Sequence, residues 1–347
     1  MAGLLFCLLI GATAHDAFAG TGSISAGDGD RGDLDHGNRD GMAESADRDL
    51  LADRLHRTIS WGVLKAAESI DAFFYTPQTE IEENRTTFRV NLGLFFEAEE
   101  RARLDTGSSL KLVLPGFQDK LHLVLAGDPE EDDQVLGEAI DKAPPSDVSA
   151  DEETDGVSAA LRYFVLDDLK RNLSLSAGAR FRRGSLVGFP EVRYRRLFDV
   201  GDLGDSAFRF EQRVRWYTDD GWRESTRLDF DVLVWSDHLW RTSLEGIWEE
   251  VQGGYGYHLR LSFFQPLGER AALRYEWVNS FNVCTADQLD KIVLKISYRQ
   301  SFWRPWLFFE IAPQLAYPEP NDFKATPGLL LRLEAIFGYR RKGPTGQ

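Results

Sequence analysis

Two cysteines in 347 residues, Cys7 and Cys284, leave this chain without a disulfide framework. Cys7 lies in the apolar run Leu4–Ile10, which precedes small residues and the triplet Ala17-Phe18-Ala19. That arrangement fits a secretory signal peptide over 1–19, cut before Gly20. The mature chain would keep Cys284 alone, so no covalent staple holds its fold. After residue 19 there is also no apolar run of about 18 residues, which excludes a helical membrane span. The six histidines are scattered, so no metal cluster is expected and no cofactor is called for. No basic patch marks a nucleic-acid surface.

The net charge of −16 is confined. Residues 20–54 carry 9 acids and 4 bases, and residues 128–155 carry 12 acids and 1 base, which together account for all of it. The remainder is balanced. Residues 20–48, rich in Gly and Asp, read as a disordered leader. The 128–156 segment reads as a solvated loop, or as carboxylates that bind Ca²⁺ or bridge cations to lipopolysaccharide. It lacks EF-hand spacing.

What the chain does have is periodicity of two kinds. Over 49–76, Leu51, Leu55, Ile59, Val63, Ala66, Ile70 and Phe73 recur every three or four residues, the stripe of an amphipathic helix that Pro77 ends. That helix could sit in the periplasm, plug a lumen or dock a partner. From about residue 86 the period becomes two. Phe88, Val90, Leu92, Leu94 and Phe96 alternate with Arg89, Asn91 and Glu97, and the pattern continues to 339. Fourteen strands follow, with twelve as the alternative: 86–98, 101–114, 119–127, 157–167, 171–182, 190–199, 206–218, 222–236, 239–251, 254–265, 270–281, 289–302, 305–316 and 327–338. Most reach the 9–11 residues that a tilted strand needs to cross hydrocarbon. Short connections follow even strands. Longer ones, at 128–156, 183–189, 282–288 and 317–326, follow odd strands. Trp216, Trp222, Trp235, Trp240, Trp303 and Trp306 fall near strand ends, where interfacial girdles form.

The other face of these strands is ionic. Arg180, Arg182, Arg193, Arg195, Arg209, Arg213, Arg215, Arg241, Arg260, Arg274, Arg299 and Arg332 interleave with Glu211, Asp229, Asp231, Glu245, Glu249, Glu276, Glu310 and Glu334. A soluble all-β protein would share the alternation, with the apolar rows inside. Dense Arg/Glu rows, aromatic ends and the lack of any staple favour a sheet closed in lipid.

These features, with the terminal amphipathic strand Leu329–Tyr339, resemble the Gram-negative outer-membrane β-barrel superfamily over 86–339. The resemblance implies a closed antiparallel transmembrane β-barrel preceded by one helix, with both termini periplasmic and a tail at 340–347. It implies outer-membrane lipid and lipopolysaccharide as surroundings and the barrel assembly machinery as a partner in biogenesis. Three functions stay open: a porin-like channel with an Arg-rich lumen, a structural or assembly barrel docking a periplasmic protein through 49–76, and an outer-membrane enzyme. The last needs a site the residues do not supply. His258 and Ser262 share a face but stand about 13 Å apart at a strand rise near 3.3 Å per residue. Asp237-His238 falls in a turn, and His122 is alone on its strand.

Overall fold

The structure, a computed structural model, describes residues 86–98, 102–114, 120–126, 158–168, 170–182, 184–199, 206–235, 237–251, 253–282 and 288–338, together with Ala66, Ala67, Ile70, Phe73 and Phe74. All belong to one compact unit, Ala52–Gln347. The expected signal peptide, leader, most of the 49–76 helix, the acidic loop and the 340–347 tail lie outside the described residues.

Fourteen strands run in order: β1 Thr87–Glu97, β2 Arg103–Val113, β3 Leu121–Ala126, β4 Ser158–Asp167, β5 Arg171–Arg182, β6 Ser185–Asp199, β7 Ser206–Tyr217, β8 Gly221–Val234, β9 His238–Glu249, β10 Gly254–Pro266, β11 Ala271–Asn282, β12 Gln288–Ser301, β13 Leu307–Pro318 and β14 Thr326–Phe337. Each pairs antiparallel with its sequence neighbours, and β1 closes on β14 from Phe88↔Phe337 to Glu97↔Gly328. The barrel therefore has fourteen strands, not twelve, and no free sheet edge among them. Closure is what a bilayer demands, because an unpaired backbone amide there costs several kcal/mol, on the order of a lost hydrogen bond or more.

Alternation decides which side chain faces which way. Leu92, Leu94, Leu161, Leu175, Val192, Trp216, Trp222, Leu244, Trp277, Leu294, Ile296 and Leu333 are exposed, while the charged residues between them are buried. This is the reverse of a soluble sheet protein, in which apolar side chains fill the core. The strand read short by more than two residues is β6. Its start was placed at Pro190, with 183–189 as a long loop. The ladder instead runs back to Arg182↔Ser185, turned by Gly184 at φ 78°, a left-handed conformation that glycine adopts without strain. Pro190 points outward, on the same face as Val192. The other irregularities are bulges between Phe164 and Leu166 and between Ser280 and Phe281.

An inside-out barrel makes a specific demand on its outer rows. Leu92→Arg or Leu294→Arg, near mid-strand, is expected to destabilise the barrel by about 2–4 kcal/mol in phospholipid vesicles. On a water-facing surface the same change costs under about 0.5 kcal/mol. Reversible urea unfolding followed by tryptophan fluorescence separates the two.

Candidate functional site

The parity of each strand sends its charges into the lumen, where they form a nearly continuous lattice. Arg241 grips Asp231 with two hydrogen bonds, Nε to Oδ1 at 2.6 Å and Nη2 to Oδ2 at 2.9 Å. Asp229 accepts from Arg227 Nε at 3.0 Å and Ser243 Oγ at 2.6 Å, with Arg209 Nη1 3.8 Å away. A second run crosses six strands. Arg89 and Arg299 both hold Glu334. Arg299 Nη1 also donates to Glu310 Oε2 at 3.5 Å, and Arg274 lies 3.9 Å from Glu310 and 3.1 Å from Glu276. Glu276 then accepts from Arg260 Nη1 at 3.2 Å. A third group joins Arg193 to Glu211 at 2.8 Å and Arg215 to Glu191. Arg180 reaches Asp220 at 3.5 Å and stacks over Tyr217 at 4.0 Å.

Every expected lumen residue whose side chain is described faces inward. Glu245 is buried opposite Arg227, Arg195 stands opposite Glu211, and Arg332 opposite Glu310. Arg182 lies in β5, and its side chain is outside the description. Glu191 and Arg162 were missed as lumen residues although both are buried there. Glu191 lies within the strand read at 190–199 and shares the parity of Arg193 and Arg195, yet it was not counted with them. Arg162 was hidden among the apolar residues of β4.

The lattice is not neutral. Among the described residues, twelve Lys and Arg side chains are buried against eight Asp and Glu. Half-buried Arg89, Arg195, Arg213, Arg274 and Arg332 widen the excess, and Glu97 and Glu249 narrow it. Arg260 keeps Nε and Nη2 without a hydrogen-bond partner.

At one mouth the ionic rows give way to an apolar collar. Leu197, Ala207, Leu233, Leu239, Ala272, Phe308 and Ile336 each lie two residues from a lattice charge on the same inward row, and Phe264 joins them. The helical residues Ala67, Ile70, Phe73 and Phe74 seat on this collar. Phe74 meets Phe264 at 5.6 Å, Phe73 meets Phe308 edge-on at 5.8 Å, and Arg274 lies over Phe74 at 4.7 Å. The stripe is rotated slightly from the expected one: Ala67 and Phe74, neither of them in it, are the most buried.

The histidines stay apart. His122 is edge-on to Phe164, and His238 bonds Asp237 at 2.7 Å in the turn. His258 Nδ1 lies 3.0 Å from Ser280 Oγ, on the neighbouring strand, rather than pairing with Ser262.

A closed sheet with lipid-compatible rows outside and ion pairs inside defines a transmembrane β-barrel of the outer-membrane type. No protein-family model matches the chain, and no curated protein matches it in sequence. Solved structures of similar shape include OmpT of Vibrio cholerae, folded in vitro, at 9% identity, with 73% of this chain and 97% of that chain covered and a TM-score of 0.41. OccK10 (OpdN) of Pseudomonas aeruginosa gives 9% identity, 73% and 98% coverage and a TM-score of 0.42. The KdgM porin, in complex with disordered oligogalacturonate, gives 7%, 71%, 98% and 0.34. At such TM-scores these are likenesses of shape, and the architecture is defined by the closed sheet itself.

If the lattice is cooperative, breaking one member costs more than removing the pair. Asp231→Ala is expected to destabilise by about 3–5 kcal/mol because it strands Arg241 in the lumen. The double variant Asp231→Ala/Arg241→Ala should lose clearly less than the sum of the single losses. A double-mutant cycle from unfolding midpoints in vesicles checks this.

Proposed function

We propose that this protein is an outer-membrane channel that favours anions and is held shut at its periplasmic mouth by its own N-terminal helix. The observation that carries the reading is the imbalance of buried charge among the described residues, twelve cations against eight acids. A lumen charged in this way concentrates anions and repels cations. The outward apolar rows support the membrane setting. The tight turns near Trp235, Gly268 and Trp303 surround the helix-bearing mouth, while the 127–157 connection joins the strands at the opposite mouth. That sorting supports termini on the periplasmic side.

The helix supports the closed state. Its residues meet the apolar collar at that mouth, and burying a phenylalanine contributes about 1.5–3 kcal/mol. The alternative, a structural barrel that docks a periplasmic protein through the 49–76 helix, would compete for Ile70 and Phe73 of that stripe, which are seated on the collar. A partner of that kind would have to draw the helix out.

Refolded protein in planar bilayers provides the test. The wild type is expected to open rarely. Phe73→Ala/Phe74→Ala should raise open probability by about tenfold or more, given the energy of two buried rings. Under a KCl gradient the reversal potential should have the sign of chloride permeation. A cation-favouring reversal potential, or silence in the double variant, would contradict the reading.

A further inference from the structure

The geometry points to a binding site for one phospholipid with an ammonium headgroup on the lipid-facing wall of β9 to β13. Its acyl chain lies in a trough between two outward rows of side chains. Its headgroup meets Trp235, Asp237 and Gln265 at the end nearer the helix-bearing mouth. The site is on the outer wall and does not rest on the channel reading.

The register builds the trough. One outward row runs Trp240, Phe263, Tyr275, Ile296 across β9 to β12. The row one step further from the helix-bearing mouth runs Leu261, Trp277, Leu294, Leu315 across β10 to β13. On β13 the first row ends at Pro313, which has no N–H to give a ladder, and there the β12–β13 pairing skips Ile296 and Ser297. The wall is hollow along these rows, with a groove of about 530 Å³ lined by residues of both. Ligand clefts span about 300–1,000 Å³. Four interstrand steps give it a length of about 19 Å, the reach of a fatty acyl chain. Trp240, Trp277, Leu294 and Ile296 on its rim are exposed. A second barrel would bring a convex wall, which bridges a trough without filling it. A flexible chain fills it.

The head end is polar. Trp240 and Trp277 each donate the indole N–H to a neighbour on their own strand, Thr242 Oγ1 at 3.1 Å and Asn279 Oδ1 at 2.9 Å. Trp235 does not: among the described residues its N–H has no acceptor, and the residue is 73% exposed. It is held at φ 57° in the β8–β9 turn, a conformation unfavourable to a bulky side chain. Its ring stands edge-on to His238 at 5.3 Å and to Phe263 at 6.2 Å. Asp237 Oδ1 lies 2.7 Å from His238 Nδ1, and the His238 ring stacks on Phe263 at 5.6 Å, which brings the carboxylate to the end of the trough. Among the described residues no lysine or arginine pairs with Asp237, whose side chain is 59% exposed. Gln265, one outward step beyond Phe263, accepts from Tyr275 Oη through Oε1 at 3.2 Å, and its Nε2 is left to donate. The set is two neutral donors and one carboxylate without a cation, beside exposed rings. A lipid phosphate accepts from Trp235 and Gln265, and an ammonium donates to Asp237 against rings whose faces attract cations. An anionic lipid that lacks the ammonium meets Asp237 as a like charge.

Native mass spectrometry of refolded full-length protein in a nonionic detergent, with phosphatidylethanolamine and phosphatidylglycerol of the same acyl chains as probes, tests the site. Unboiled gel migration certifies that each variant is folded. The wild type should retain one phosphatidylethanolamine about tenfold more tightly than phosphatidylglycerol. Asp237→Asn should hold the two alike. Ile296→Trp, which fills the trough, should weaken both by about tenfold. If Asp237→Asn does not fold, the wild-type preference should still shrink as ammonium acetate is raised, because salt screens an exposed ion pair. Equal retention of both lipids by the wild type, a preference that survives Asp237→Asn, or unaltered retention in Ile296→Trp leaves annular lipid only and overturns the site. A lipid-free dimer that Ile296→Trp disrupts also overturns it, and assigns the trough to a second copy. An anion-favouring channel without the lipid preference removes the site and leaves the channel.

Discussion

Guanidinium and carboxylate side chains must be hidden from hydrocarbon, and in this protein only the lumen can hide them. A strand has two faces, and period-2 alternation assigns one to lipid and one to the interior. Once the outer rows are committed to leucine, phenylalanine and tryptophan, most charges on the same strands are driven inward, with outward ones such as Arg196 and Asp290 near the strand ends. Closure follows from the same constraint, because an open edge would leave amides unpaired in lipid. The Arg89–Glu334–Arg299–Glu310–Arg274–Glu276–Arg260 run then ties six strands together without one disulfide. Removing one member exposes its neighbour to an uncompensated burial cost, so the lattice stands or falls as a unit.

Such an interior stiffens the barrel but also fills it. Arg299 and Glu334 are each only 1% exposed. Among the described residues the interior is an ionic core, with Phe73 and Phe74 seated on the collar at one end. Function then depends on what loosens it. The collar and the lattice are adjoining layers, and Phe74 touches both, lying against Phe264 and beneath Arg274. Withdrawal of the helix would uncover Arg274 and its neighbours, so the mouth and the charge lining are coupled through one side chain.

Much of this was legible in the residues. Strand number, strand polarity and the inward rows follow from alternation, which is strong wherever a face is uniformly apolar. The late start given to β6 shows where the signal weakens. Gly184 and Gly188 flank Leu186 and Val187, and Pro190 reads as a boundary because proline cannot donate to a ladder. An outward proline is tolerated there, and the strand runs on for five residues before it. The pairing of His258 with Ser280 was invisible for another reason: cross-strand partners depend on register, which one strand's sequence does not reveal. The seat of the helix was likewise out of reach. The collar is spread over strands from β6 to β14, one residue on most of them, and each looks like an ordinary strand-end hydrophobe until the barrel closes.

The outward direction of the apolar rows is open to direct measurement. Nitroxide labels on cysteines placed one at a time at Leu92, Leu244, Leu294 and Leu333 can be scanned in phospholipid vesicles for collisions with oxygen and with a water-soluble nickel chelate. The account predicts high oxygen and low chelate accessibility at all four, highest in oxygen at the most central positions. Ready access by the chelate, or shielding from both reagents as in a packed protein core, would contradict it.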